Sequence, residues 1–199
     1  MRALGIIRDE HRSIAAVLHA MRYLVHEIRV RGAKPDFDLL GAMIYYIDAF
    51  PERFHHPKED AYLFRALRVR LPASEPLLDR LENEHKSGAR MIRTLEQALT
   101  RYRHGGARQF RAFAAAVEDY AEFHWKHMRV EETEVLPLAQ MHLIDEDWEA
   151  IDAAFTGHSD PLLTVEAGIE YQALFTRICS LAPPPIGVGP VSSPASAKA

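Results

Sequence analysis

Cysteine, long apolar runs and excess basic charge are all scarce in this chain. Cys179 is its only cysteine, which excludes an internal disulfide and any zinc or iron–sulfur site built from several thiolates. No stretch approaches the ~20 apolar residues that a membrane span requires. The formal net charge of -4 argues against nucleic acid as the main partner, since phosphate binding needs a basic surface. We therefore expect a cytoplasmic protein with no nucleic-acid or membrane partner.

Strand patterns and internal repeats are lacking as well, whereas helical periodicity is abundant. Apolar residues recur at helical spacing over four long segments. The predicted helices cover about residues 6–30, 37–70, 75–104 and 107–136. Gly32 suits the C-terminal cap of the first helix, Pro51 and Pro57 predict a kink around residues 50–57, and Pro137 predicts the end of the fourth helix.

Short connections between these helices favour one fold class: all-α, an antiparallel up-down-up-down four-helix bundle. We assign this bundle to residues 1–140. Residues 141–182 form a C-terminal helical extension, with short helices opening at Asp145 and Asp160. Residues 183–199 are rich in Pro, Ser and Ala, which predicts a disordered tail.

The chain has 11 histidines, and several lie on the apolar stripes of the predicted helices. His11 and His85 each interrupt such a stripe. His55 with Glu59, and His127 with Glu131, are four residues apart, so each pair shares one helix face. A polar group on a core stripe is expensive unless it is paired or binds a metal. Four such stripes in one bundle predict a shared metal site.

The types of side chain narrow the choice of metal. Imidazole together with carboxylate suits iron, manganese or zinc better than calcium or magnesium. Two carboxylates among several imidazoles suit a pair of metals, with the carboxylates bridging. The ferritin-like rival uses Glu-x-x-His motifs, and this chain contains Glu52-x-x-His55 and Glu82-x-x-His85. Its fourth helix has no such motif, however, so a histidine-rich site fits better.

Four segments carry a resemblance to a known family. They are Asp9-Glu10-His11, His55-His56-Pro57-Lys58-Glu59 with Tyr62-Leu63-Phe64, Glu84-His85, and His127-Met128-Arg129-Val130-Glu131-Glu132 with Val135-Leu136-Pro137. Together they resemble the bacterial hemerythrin-like proteins, or hemerythrin HHE cation-binding domains, over roughly residues 5–140. The resemblance implies two non-heme iron ions with an oxo or hydroxo bridge. It also implies His11, His55, His85 and His127 as terminal ligands, and Glu59 and Glu131 as bridging ligands.

One departure from the pattern concerns the third helix. Oxygen-carrying hemerythrins have His-x-x-x-His there, whereas the positions four residues before and after His85 are Leu81 and Ala89. We hypothesise that His56 replaces the missing ligand, because Pro57 disturbs the helix and lets two adjacent side chains turn inward. His56 would then join His85 and His127 on one iron, with His11 and His55 on the other.

Two further residues are candidates for the surroundings of the metals. His124 lies one turn before His127, and we expect it at the site entrance, where a titratable group beside a bound ligand favours redox chemistry. Glu84 is either a hydrogen-bonding neighbour of the site or a surface residue.

The expected function is binding or sensing of dioxygen, nitric oxide or redox state. The alternatives are a di-iron oxidoreductase that reduces peroxide or nitric oxide, an iron storage or donation protein, and a metal-free helical interaction module. The C-terminal helices either pack across the bundle or form the contact of a homodimer.

Overall fold

The computed structural model describes residues 1–157 and, beyond them, positions 160, 162, 174, 176, 177 and 180. Every regular element among these residues is helical, which confirms the all-α prediction. The α-helices are α1 Ala3–Arg31, α2 Phe37–Ala49, α3 His56–Lys58, α4 Arg65–Arg70, α5 Glu75–Gly105, α6 Ala107–Val130, α7 Leu136–His142 and α8 Asp145–Thr156. Among the described residues, no helix is both long and apolar enough to cross a membrane.

Three π-helical segments and one 3-10 turn join these helices into longer runs. They are the π-segments Pro51–His55, Glu59–Phe64 and Glu131–Val135, and the 3-10 turn Pro72–Ser74. The second run therefore continues from residue 37 to 70, and the fourth from 107 to 142. α1 packs against the second and fourth runs, and α5 packs against the same two. This arrangement is the predicted four-helix bundle.

The ends of the helices follow local sequence signals, with one exception. Gly32 adopts a left-handed backbone with φ of 65° and closes α1, and the Asp36 side chain accepts a hydrogen bond from the Leu39 amide at the start of α2. The prediction that Pro137 ends the fourth helix is wrong. Pro137 lies in the first turn of α7, where its missing N–H is not needed.

The apolar core is divided into two clusters by a polar layer. On α1, Ile14 belongs to the first cluster and Ile7 to the second. His11 lies between them, about one helical turn from each. On α5, His85 likewise separates Leu81 of the second cluster from Ile92 of the first. The predicted site residues therefore occupy a layer that both clusters shield from water.

The helix α8, formed by residues 145–156, packs onto the same bundle. α8 lies against α1 and the π-segment Glu59–Phe64, and its Trp148, Ile151 and Phe155 belong to the second apolar cluster. The domain boundary at residues 140–141 stays a prediction. The predicted sixth helix and the predicted disordered tail fall almost entirely outside the described residues.

Candidate metal centre

The four helical runs bring seven of the predicted site residues into one buried cluster, called here the His/Glu cluster. None of the seven is more than 6% exposed. Its members are His11, His55, His56, Glu59, His85, His127 and Glu131. Ionisable side chains buried this deeply require partners, so the contacts within the cluster determine what it can do.

The π-segments position three members of this cluster. Pro51–His55 ends at His55, and the other two begin at Glu59 and Glu131. Two of these segments end on amides that bond five residues back: the amide of residue 56 reaches the Pro51 carbonyl, and that of residue 136 reaches the Glu131 carbonyl. The wider turn changes the direction of the side chains, and such π-bulges occur frequently at functional sites.

Two pairs of imidazole nitrogens face each other at the centre of the cluster. Nε2 of His11 lies 3.1 Å from Nε2 of His55, and Nε2 of His85 lies 2.9 Å from Nε2 of His127. With metal–nitrogen bonds of about 2.1 Å, two ligands at right angles lie about 3.0 Å apart. Both pairs therefore have the spacing of neighbouring ligands on one ion.

Glu59 and Glu131 lie between the two pairs. Oε2 of Glu131 is 3.4 Å from Nε2 of His11, whereas its Oε1 is 3.1 Å from Nε2 of His127. Oε1 of Glu59 is 3.8 Å from Nε2 of His11, and its Oε2 is 3.4 Å from Nε2 of His55 and 3.7 Å from Nε2 of His85. Glu131 thus extends one oxygen toward each half of the cluster, whereas Oε2 of Glu59 lies between the two halves.

The opposite ring nitrogen, Nδ1, of each of these five histidines faces a further carboxylate. The Nδ1–oxygen distances are 3.0 Å for His11–Glu132, 2.6 Å for His55–Glu10, 3.4 Å for His56–Glu52, 2.8 Å for His85–Asp60 and 2.9 Å for His127–Glu84. A histidine that ligates a metal almost always donates its other N–H to a carboxylate, carbonyl or water. The outer carboxylates fix four of these rings with Nε2 toward the centre, whereas Nδ1 of His56 has no hydrogen-bond partner.

Four of these contacts run around the bundle in one direction. The fourth run supplies Glu132 to α1, α1 supplies Glu10 to the second run, the second run supplies Asp60 to α5, and α5 supplies Glu84 to α6. Each helical run is therefore tied to the next through one histidine of the cluster.

Electrostatics favour a cation at the centre. Burial raises the pKa of Glu59 well above its ordinary value, and the neighbouring Glu131 adds to the effect. Burial also opposes the charge on Glu131, but the surrounding imidazoles, His127 foremost, outweigh it and hold the pKa of Glu131 well below its usual range. Burial likewise opposes charge on His127, yet Glu131 and Glu84 raise its pKa to about 10. Positive charge beside these carboxylates is strongly stabilised.

The unpartnered atoms of the cluster test whether metal ions fit. Both side-chain oxygens of Glu59 and both of Glu131 are buried without a hydrogen-bond partner. Three groups have ligand atoms that all lie within 4.8 Å of one another. These groups are His11, His55 and Glu59; His56, His85 and His127; and Glu59, His85 and Glu131. Imidazole together with carboxylate fits a transition metal, and bound metal would satisfy the four carboxylate oxygens.

His124 lies buried beside the cluster, and its position at the site entrance stays a prediction. It is 2% exposed, and its ring stacks on that of His56 at a centroid distance of 5.7 Å. Neither of its ring nitrogens has a hydrogen-bond partner. Burial, followed by the surrounding histidines, holds its pKa well below the usual range, so His124 is a neutral imidazole beside the cluster.

The outer carboxylates were the least predictable part of the site. Glu84 was left open between a site neighbour and a surface residue, and its contact with His127 Nδ1 decides for the site. Glu10, Glu52 and Asp60 were missed as partners of the histidines. Glu52 gave one signal, because it precedes His56 by four residues. Glu10 gave none, because it contacts His55 on another helix.

A groove between α1 and α6 reaches the cluster from outside. Its volume is about 290 Å³, and His11, Trp125, Met128 and Glu132 contribute to its lining. A second groove, of about 340 Å³, includes Lys58 and Tyr62 in its lining. Small molecules therefore have an approach to the His11 half of the cluster.

Comparison with protein-family models gives a match. The family model described as the hemerythrin HHE cation binding domain matches residues 2–139, the part of the chain that holds the whole cluster. Comparisons with curated proteins and with solved structures give no match. The chain therefore belongs to the hemerythrin HHE cation-binding family and is a metal-binding protein.

Proposed function

We propose that the chain holds a pair of iron ions and uses them to bind or sense dioxygen, nitric oxide or redox state. His11 and His55 ligate one ion, and His56, His85 and His127 ligate the other. Glu59 and Glu131 bridge the two. The observation that carries the proposal is the orientation of four of the five rings, which turn Nε2 inward and hold Nδ1 in a hydrogen bond to a carboxylate.

His56 is the fifth histidine ligand in this assignment. It is 3% exposed, and its ring stacks on His85 at a centroid distance of 4.3 Å. Burial, together with the charge of His85, lowers the pKa of His56 to about 4. A buried neutral imidazole has a free lone pair, which is the form that ligates a metal.

The protein around the centre orients the histidine rings and excludes water. When bound, the iron pair would supply the redox-active position at which a small diatomic ligand attaches. The outer carboxylates hold the rings and raise their basicity. The two apolar clusters above and below the layer exclude water, and the groove beside His11 gives a small ligand access.

One observation favours a second candidate, a di-iron oxidoreductase acting on peroxide or nitric oxide. His124 is buried against His56 with both ring nitrogens unpartnered. An imidazole N–H in this position can donate a hydrogen bond to a ligand bound within the cluster. A carrier of dioxygen does not require such a donor, whereas reduction of a bound ligand benefits from it.

Optical spectra of the iron-loaded protein under alternating dioxygen and argon test this function. Reversible appearance and bleaching of an absorption band supports binding or sensing. We expect the band in the wild type. It should be absent from Glu131→Ala, because that variant lacks a bridging carboxylate. Irreversible oxidation, with consumption of peroxide when an electron donor is added, would reject binding in favour of the oxidoreductase.

A further inference from the structure

Tyr120 on α6 has an environment unlike that of an ordinary core tyrosine. Its side chain is 1% exposed, and its hydroxyl donates a hydrogen bond of 2.9 Å to Oε1 of Glu52. Burial, with Glu52 next in effect, raises the pKa of Tyr120 well above its usual range. The phenol is therefore protonated and hydrogen-bonded to a carboxylate.

The same carboxylate connects Tyr120 to the metal cluster. Oε2 of Glu52 lies 3.4 Å from Nδ1 of His56. Glu52 thus contacts the phenol with one oxygen and a proposed iron ligand with the other. Among the described residues, it is the one outer carboxylate of the cluster that also accepts a hydrogen bond from a tyrosine.

Aromatic rings form a second connection between Tyr120 and the cluster. The ring of Tyr120 lies 4.3 Å from that of His124. His124 in turn stacks on His56 with an interplanar angle of 8°. Rings in contact from the phenol to a ligand histidine provide a short path for an electron.

Gly88 on α5 leaves room for the side chains of Glu52 and His124. A Cβ at position 88 on α5 would lie 3.0 Å from Oε1 of Glu52 and 3.1 Å from Nε2 of His124. Both distances are tighter than ordinary contacts, so glycine allows the carboxylate and the imidazole to approach α5.

We propose that Tyr120 is a redox-active residue that gives one electron to the iron site through His124 and His56 and its hydroxyl proton to Glu52. Loss of the electron alone would leave a buried cation, which is costly without a partner. Transfer of the proton to Glu52 over 2.9 Å avoids that charge. The product is a neutral tyrosyl radical beside a protonated carboxyl group. This assignment rests on the proposed iron pair.

The electrons balance with dioxygen as oxidant and ferrous ion as reductant. Reduction of one dioxygen to two water molecules breaks the O–O bond and consumes four electrons and four protons. The two bound ferrous ions supply two electrons, a further ferrous ion from solution supplies the third, and Tyr120 supplies the fourth. Solvent supplies the protons, while the Tyr120 proton remains on Glu52.

Electron paramagnetic resonance tests the proposal. Protein loaded with excess ferrous ion without air is mixed with oxygenated buffer and frozen at successive times. An organic radical signal is expected, and it should narrow when the protein is grown with ring-deuterated tyrosine. Tyr120→Phe should abolish the signal. Glu52→Gln should abolish it too, because an amide keeps an acceptor for the hydroxyl but takes up no proton.

Tyr46→Phe is the matched control. Tyr46 is also buried, and its hydroxyl donates to a carboxylate, Asp160, at 3.0 Å, which is not one of the five outer carboxylates of the cluster. The signal should survive in this variant. A wild-type sample treated with a nitroso spin trap and digested should carry the adduct on the peptide containing Tyr120, which locates the radical even if Tyr120→Phe does not fold.

Iron content and the optical spectrum, recorded before oxygen is admitted, separate two kinds of failure. Two bound irons without any radical, a signal that persists in Tyr120→Phe, or a signal lost in Tyr46→Phe alone would overturn the role of Tyr120 and leave the iron pair standing. A failure to bind two irons would overturn both.

Discussion

Replacing Glu10 by glutamine tests whether the buried carboxylates hold the cluster together. Glu10 is 0% exposed; its Oε2 lies 2.6 Å from His55 Nδ1, and its Oε1 lies 3.6 Å from the Lys58 ammonium. Lys58 is 8% exposed, so its ammonium has little contact with water in place of the anion that is removed. We therefore expect a large effect from a substitution that barely changes the volume of the side chain.

The magnitude follows from the two contacts. A hydrogen bond to a charged group contributes about 1.5–3 kcal/mol, and a buried cation left without its partner costs about 3–5 kcal/mol. Glutamine retains an acceptor, so we expect a loss of about 3 kcal/mol. At about 2–4 °C per kcal/mol for a chain of this size, the unfolding midpoint should fall by about 6–12 °C. Iron affinity should fall by about 10–100-fold, because His55 loses its orienting partner.

The assay is thermal unfolding followed by circular dichroism, together with iron competition against a chelator. It is run above the pKa of Glu10, which burial raises to about 7 with Lys58 opposing, so that the carboxylate is charged. Glu132→Gln is the control: Glu132 partners His11 in the same way, but its side chain is 42% exposed, so solvent limits its loss of stability to below about 1 kcal/mol. Equal losses of stability in both variants would refute the reasoning from burial.

Two other substitutions test the site. His56→Ala should lower bound iron from two ions per chain to about one, measured by metal analysis against a His19→Ala control; two full equivalents would remove His56 from the ligand set. Gly88→Ala should destabilise the chain by about 1–3 kcal/mol in urea unfolding, because its Cβ would lie 3.0 Å from Glu52. Gly5→Ala, with no atom within 4 Å, should be neutral or stabilising, and equal effects at both positions would contradict the crowding argument.

Helical periodicity was sufficient to predict the bundle and six of the seven members of the His/Glu cluster, all except His56. His11 and His85 interrupt apolar stripes, and the pairs His55–Glu59 and His127–Glu131 have helical spacing, so all these side chains were expected to face inward. A spacing of three or four residues is a local property, so it can be recognised from the sequence without knowledge of the tertiary structure.

The π-segments and the outer carboxylates could not be predicted in the same way. Pro57 indicated a disturbance in the second run, but a wider turn continuing through residue 64 depends on packing. Pro137 was misinterpreted as a helix end, because proline is equally compatible with the first turn of a new helix. The partner of His55 is Glu10 on α1, and that pairing depends on the rotation of one helix against another.

Metal analysis of protein purified without air, with optical spectra before and after exposure to air, tests the iron pair most directly. The proposed ligand set predicts two irons per chain and a charge-transfer band that appears in air. Glu131→Ala should lose both the second iron and the band. A wild-type protein that binds no iron, or a single iron that Glu131→Ala retains, would contradict the assignment of the His/Glu cluster.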